Sequence, residues 1–173
     1  MMDVITNTLV LTVGWPRAGK SFWCSQMIKE KGYVIVNPDS IRLAFHGKAF
    51  DSAYENRVWK TVEIMIKSLF LAGHSTVVLD ATSVTRKSRK KWEKIGEKEG
   101  FTVKYIVFNT PVPICEQRAR DGNREDLIPI IQRMSRQYQP LDEEEQKNCY
   151  PKDDLLKPAF NQDEENYELS GLV

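Results

Sequence analysis

The chain has 173 residues, 41% of them hydrophobic, with 25 basic against 24 acidic side chains and a formal net charge of +1. That length suits one domain with a substantial core, and the balanced charge excludes an overall basic nucleic-acid binder, so any such surface must be local. Cys24, Cys115 and Cys149 are too dispersed for a zinc pattern and read as reduced cytoplasmic thiols, no stretch is long enough to span a membrane, and no repeat is visible.

Thr8 to Val13 is a β-branched apolar run of strand length. It leads into Gly14-Trp15-Pro16-Arg17-Ala18-Gly19-Lys20-Ser21 and not into a signal-peptide pattern. Phe22 to Lys31 lacks Gly and Pro and reads as a helix stopped by Gly32. Tyr33 to Val36 is a second strand, ended by Asn37-Pro38-Asp39-Ser40, and a short helix follows as far as Gly47. From Ala53 to Ala72 apolar residues recur at spacings of three and four (Val58, Val62, Met65, Ile66, Leu69), predicting a long amphipathic helix. Ser75 to Leu79 reads as a buried strand ending in Asp80. A basic helix from about Thr85 to Lys98 stops at Gly100, and Phe101 to Phe108 is the next strand. Pro111 to about Arg120 is a helix broken by Asp121-Gly122-Asn123, and another starts near Leu127 and ends before Pro140. This alternation predicts an α/β fold, a doubly wound parallel sheet covered on both faces, over residues 1–140. Residues 141–173 form an acidic, proline-interrupted extension. It reads first as solvated surface, with a packed extension and a last strand near Tyr167 to Val173 as the alternative.

Gly14 to Ser21 matches the P-loop pattern and sits between strand and helix, the context the motif requires. Successive backbone N–H groups from Gly14 to Phe22 can wrap a triphosphate at the positive end of the helix. Lys20 is placed to reach the β/γ-phosphates and Ser21 to ligate Mg²⁺. In a parallel sheet, ligands sit at the C-terminal strand ends, where Asp39 and Asp80 both fall. A kinase needs one carboxylate by the metal and another by the acceptor hydroxyl. Asp80, after Val77-Val78-Leu79, has Walker-B character, and Asp39 is the candidate base; a cap or turn role stays open for both. Arg42 shares the helical face of Asp39 and can hold an acceptor phosphate, though a plain surface arginine fits the same pattern.

Arg118, Arg120 and Arg124 surround the Asp121-Gly122-Asn123 break. They read as a lid over about residues 118–128 that carries arginine onto the triphosphate, against the alternative of a solvated helix end. The densest basic run, Arg86 to Lys94, can take polynucleotide phosphates or be a solvated helix face. Trp92 within it stacks a base or packs on the sheet, Trp15 lines a pocket or packs, and Trp23 and Trp59 read as core.

Taken together, the P-loop, Asn37-x-Asp39-x-x-Arg42, Leu79-Asp80-Ala81-Thr82, Arg86-x-x-Arg89-x-x-Trp92 and the arginine-rich segment before Leu127-Ile128-Pro129 form an ordered series. In that order, from about Leu9 to Leu141, the chain resembles the P-loop kinase family typified by the 5′-kinase domain of phage T4 polynucleotide kinase. The resemblance implies a sheet of order 2-3-1-4-5, ATP and Mg²⁺, and transfer of the γ-phosphoryl group to a hydroxyl. It implies that Asp39 is the general base, that Lys20 and either Arg124 or Arg120 act on the transferring phosphate, and that Arg118 faces the nucleotide. Arg42, Asp80, Thr82, Arg86 and Arg89 fall on the acceptor side, and Ser21 and Asp80 on the metal. Two positions depart from the family: Arg17 stands where relatives usually have Gly, and Ser40 replaces the second acid of an Asp-Asp pair. Relatives with this core act on varied hydroxyls, so the fold carries the reaction type and not the acceptor. The leading expectation is the 5′-OH of a polynucleotide. A hydroxymethylated DNA base or small-molecule hydroxyl is the rival acceptor, and a P-loop ATP-binding switch without kinase activity is the rival class.

Overall fold

The computed structural model describes residues 6–150, and strand β1 (Thr8–Val13) lies at its centre. Strands β3 (Thr76–Leu79) and β4 (Thr102–Val107) pair parallel to β1, one on each side, and β2 (Val34–Val36) pairs parallel to β3. The order is β2-β3-β1-β4. Both faces of β1 are covered, as its unbroken apolar run requires. Leu9, Leu11 and Val13 join one core cluster with Val58, Val62 and Ile66 of α3 (Glu55–Leu71) and Trp92 of α4 (Arg86–Glu99). Val10 faces the other way, onto Trp23 and Met27 of α1 (Lys20–Lys31). A third cluster holds α5 (Val112–Asp121) and α6 (Ile128–Gln137) together through Cys115, Ala119 and Ile131. Each fully buried aliphatic side chain here contributes roughly 1.5–3 kcal/mol.

Local chemistry sets the helix ends. Asn37 caps α2 (Pro38–His46) by accepting the N–H groups of Asp39 and Ser40, with Pro38 at the first helical position. Thr85 caps α4 by accepting from the N–H of Ser88. Within α4, a Cβ on Gly96 would stand 2.5 Å from the Phe101 carbonyl oxygen, so only glycine lets the helix approach the chain entering β4.

Among the described residues the sheet has four strands, which follow the expected order 2-3-1-4. A single parallel bridge, Tyr105 to Cys149, takes the place beside β4 that a fifth strand would hold. The expectation of a solvated stretch after Leu141 is corrected in part: Leu141, Glu145 and Tyr150 are buried, while Glu143, Glu144 and residues 146–149 are exposed. Asp142 opens α7 (Glu143–Lys147) with a capping box to Glu145, which is fully buried against Arg89. Tyr150 then packs edge-on against Trp23 and Tyr33. The last strand expected near Tyr167 lies outside the described residues. No helix among the described residues is long and apolar enough to cross a membrane.

Candidate active site

The P-loop leaves the C-terminal end of β1 and closes into the first turn of α1. Gly14, at φ 154°, donates its N–H to the Thr82 carbonyl, and a Cβ there would meet the Phe108 carbonyl oxygen at 2.9 Å. Arg17 is held at φ 63°, a left-handed conformation costing roughly 1–2 kcal/mol for a residue with a Cβ, where a glycine would be at ease. Its carbonyl accepts from Arg118 Nη1 at 3.2 Å, and its guanidinium lies against Gly122, where a Cβ would come within 2.6 Å. Two lid residues therefore touch the P-loop. Pro16, Ala18 and Gly19 complete the loop, and Ser21 and Phe22 bring their backbone to the first turn of α1.

Trp15 is a strut. Its indole is buried, donates to the Thr110 carbonyl at 3.1 Å, and meets Tyr138 edge-on, tying the loop to α5 and α6. The alternative that it lines a pocket is thereby removed. Lys20 is buried and turns its ammonium onto the Trp15 carbonyl at 2.8 Å. Burial pushes its pKa below the ordinary lysine value, while Asp80 and, more weakly, Asp39 act the other way. A phosphate beside it would favour the charged form, so this is a side chain placed for an anion. Cys24 and Cys115 lie buried nearby with their thiols pushed up by burial, which rules them out as thiolate nucleophiles.

Asp80 sits beyond β3, and one of its oxygens accepts from Ser21 Oγ at 2.8 Å and Asn37 Nδ2 at 3.2 Å. A hydroxyl and a carboxylate in contact at the start of a P-loop helix are hard oxygen donors that fit Mg²⁺, which takes few protein ligands and completes its shell with phosphates and water. Thr12, buried on β1, accepts the Ala81 N–H and donates to the Ala81 carbonyl at 2.6 Å, pinning the Asp80 loop. Thr12 is not among the residues the sequence points to, and Asn37 enters only as the first position of the Asn37-x-Asp39-x-x-Arg42 series, with no role given to it. A threonine inside the buried run Leu9 to Val13, two residues before the P-loop, is the signal that would have found Thr12. Asn37 uses both ends of its amide, capping α2 with its oxygen and holding Asp80 with its nitrogen.

Asp39 stands exposed in the first turn of α2 and accepts from Arg42 Nη1 at 2.6 Å. Arg42 is also bound in a two-point fork by Glu55 of α3, at 2.7 and 2.8 Å. Glu55 is a further functional residue missed from sequence, because it comes from a different helix. Its fork holds the arginine beside Asp39, and Arg42 is consequently less free for a phosphate than its spacing suggested. The hydrogen bond from Arg42 holds the Glu55 carboxyl below its ordinary value of 4.5. The pair's contribution to stability is therefore complete above about pH 4.5 and is lost as pH falls through the lower folded value. Denaturant titrations across that range should show the unaltered protein losing stability more steeply than Glu55→Gln; equal slopes would refute the coupling.

The lid arginines divide. Arg124 forks onto Asp126 at 2.9 Å and is charged more firmly by that pairing, with a smaller contribution from Asp39. Arg120 runs along α5 toward Glu116 at 3.6 Å. The residues after the break form a short 3₁₀ turn, Glu125–Leu127, before α6. Arg86 is exposed and paired with Asp142 at 2.6 Å. Arg89 is a correction: it is fully buried, forked onto Glu145, and bonded to the Ser83, Val84 and Pro140 carbonyls. No substrate can reach it. Trp59, expected in the core, is only half-buried, whereas Trp23 and Trp92 are buried as packing residues.

Comparison with known proteins agrees with this geometry. The AAA domain family matches residues 9–141. Among solved structures, a chain of the Pnkp1/Rnl/Hen1 complex is 29% identical, with a TM-score of 0.59 over 65% of this chain and 39% of that one. A chain of the Pnkp1/Rnl/Hen1 RNA repair complex is 24% identical, with a TM-score of 0.57 over 78% of this chain and 47% of that one. This protein thus spans less than half the length of either. The Mycobacterium tuberculosis APS kinase CysC, solved with AMPPNP and APS, shares the fold at 21% identity and a TM-score of 0.51, over 68% of this chain and 71% of that one. With more than half of its length matched, the chain belongs to the AAA domain family and has the α/β architecture of a P-loop kinase.

Proposed function

We propose that this protein transfers the γ-phosphoryl group of ATP to a hydroxyl, and that the hydroxyl is the 5′-OH of a polynucleotide. The observation that carries the reading is the position of Asp39. It is an exposed carboxylate beyond β2, held by Arg42 at the C-terminal end of the parallel sheet, where the P-loop also opens, and it contributes weakly to the electrostatics of Lys20 and Arg124. A switch protein has no use for such a group. The choice of acceptor is supported by the ordered resemblance to polynucleotide 5′-kinases and by the RNA repair complex among the similar structures.

In this reading the backbone from Gly14 to Phe22 cradles the triphosphate, with Arg118 closing the loop from the lid side. Ser21 and Asp80 would hold Mg²⁺, which would supply positive charge to the phosphate oxygens. Asp39 accepts the hydroxyl proton as the acceptor oxygen bonds to the γ-phosphorus. The bond from that phosphorus to the β-bridging oxygen breaks, and ADP leaves. Lys20 and Arg124 hold the charge that develops on the phosphate oxygens. Thr82 and Arg86 stand on the acceptor side, next to the Asp80 loop.

The test is transfer from γ-labelled ATP to a panel of 5′-OH DNA and RNA, hydroxymethylated DNA, nucleosides and sugars. Label on a 5′-OH strand is the expected result, and Lys20→Ala should lose it together with ATP affinity. Label confined to the modified base or to a small molecule would overturn the acceptor. ATP hydrolysis with no labelled acceptor would overturn the kinase.

A further inference from the structure

A groove of about 920 Å³ lies between α3 and α4, and nothing in the proposed chemistry uses it. One end reaches Thr82, whose carbonyl receives the P-loop Gly14 N–H. Its wall includes Trp59, and that ring touches the candidate acceptor site directly, because the guanidinium of Arg42 lies 5.8 Å from its centroid. Lys91 places its ammonium 6.0 Å from the same ring. The groove therefore opens where an acceptor held by Asp39 and Arg42 would leave the active site.

Its charge is one-sided. Lys87, Lys90, Lys91 and Lys94 line it along α4. Lys90 is paired with Glu93, but among the described residues none of the other three forms an ion pair. The carboxylate in the lining, Glu63, is already taken by Lys60 and Lys67. Lys87, Lys91 and Lys94 recur at spacings of four and three and so share one helix face, spread over about 10 Å of its length. A line of unneutralised ammoniums beside an aromatic ring suits a chain of phosphates with bases to stack, and not a single anion.

We propose that this groove is a binding track for a single-stranded polynucleotide, holding the acceptor strand beyond its terminal nucleotide; the inference rests on the 5′-kinase reading. Lys87, Lys91 and Lys94 bind successive phosphates, and Trp59 offers its exposed face to a base. The net charge of +1 does not oppose this, since the basic surface is confined to one helix.

The experiment measures binding of 3′-labelled single strands of roughly 12 nucleotides, DNA and RNA, by fluorescence anisotropy. Three proteins are compared at about 50 and 200 mM salt: the unaltered chain, Lys87→Gln/Lys91→Gln/Lys94→Gln, and a control, Lys48→Gln/Lys98→Gln/Lys147→Gln. The groove variant should lose affinity at least tenfold at low salt, and its log–log salt slope should fall by about 2. The control should stay within about twofold of the unaltered protein, as expected for three exposed lysines off the track. Binding of both sugars or of one supports the track, and the tighter one names the strand. An equal loss in the control, no binding by the unaltered chain, or displacement by polyglutamate as effective as by unlabelled oligonucleotide would each overturn it.

Phosphate transfer separates this inference from the reading beneath it. If the groove result holds while no 5′-OH is labelled, the kinase reading falls and the track stands. If 5′-OH strands are labelled with the same KM by the unaltered and groove-variant proteins, the track falls and the kinase stands.

Discussion

Asp39→Asn should abolish phosphoryl transfer while leaving ATP affinity unchanged. The side chain projects from the first turn of α2, where it accepts from Arg42. Asparagine keeps the shape and can still meet Arg42 through its amide oxygen, so the helix start and the Asn37 cap are retained. The carboxylate's ability to take a proton is lost, and general-base catalysis supplies roughly 10²–10⁴ in rate. Ser40 gives no fallback, because the second acid that relatives place there is absent. Single-turnover transfer with saturating acceptor, alongside equilibrium ATP binding, is the measurement. Transfer within a few-fold of the unaltered rate would remove Asp39 from its role, and a parallel loss of ATP binding would show that the residue supports the P-loop instead.

Arg89→Ala should be the most destabilising substitution on α4. It leaves Glu145 charged and buried and removes the guanidinium donor from the Ser83 and Pro140 carbonyls, while the Val84 carbonyl keeps the Gln139 N–H. Breaking a fully buried pair from one side costs about 3–5 kcal/mol, which in a chain of this size lowers the thermal midpoint on the order of 10 °C. Arg89→Lys should recover little, since an ammonium cannot reproduce the fork. Replacing both partners, Arg89→Met/Glu145→Leu, removes the stranded charge and should recover part of the loss. The carbonyls of Ser83 and Pro140 and the N–H of Asp142 still lose the partners they have in the unaltered protein, so recovery stays incomplete. Thermal denaturation measures all of these. Acceptor KM, taken well below the midpoint, distinguishes the two roles of Arg89: an unchanged value fits its burial, and a large rise with normal stability would restore it to the acceptor side.

These two residues show where sequence reading succeeds and where it stops. Asp39 was legible because its position follows from local rules: a strand end, an Asx-Pro helix start, and a spacing of three to Arg42. Arg89 carries the same kind of spacing to Trp92 and the same charge as its neighbours, so the basic run read as one surface. Its burial depends on Glu145, which arrives 56 positions later on a helix that composition had suggested was solvated. Trp59 erred the other way. Its place in an apolar pattern predicted core, but the partner helix α4 stands off and leaves a groove. Arg42 falls between these cases: its neighbour Asp39 was visible, and Glu55, which fixes its guanidinium, was not.

What the sequence by itself determined about this protein is what short-range chemistry controls. The apolar runs specify parallel strands buried on both faces, glycines mark the stops, and the P-loop needs only eight consecutive residues to declare a phosphate cradle. What only the tertiary structure decided are the pairings between distant segments. These are Ser21 with Asp80, Thr12 with the Asp80 loop, Arg42 with Glu55, Arg89 with Glu145, and Trp59 with the lysines of α4. The physical reason is that charge and hydrogen-bonding capacity are written in each residue. Whether a neighbour satisfies that capacity, or leaves it open to a ligand, depends on which elements the core brings into contact.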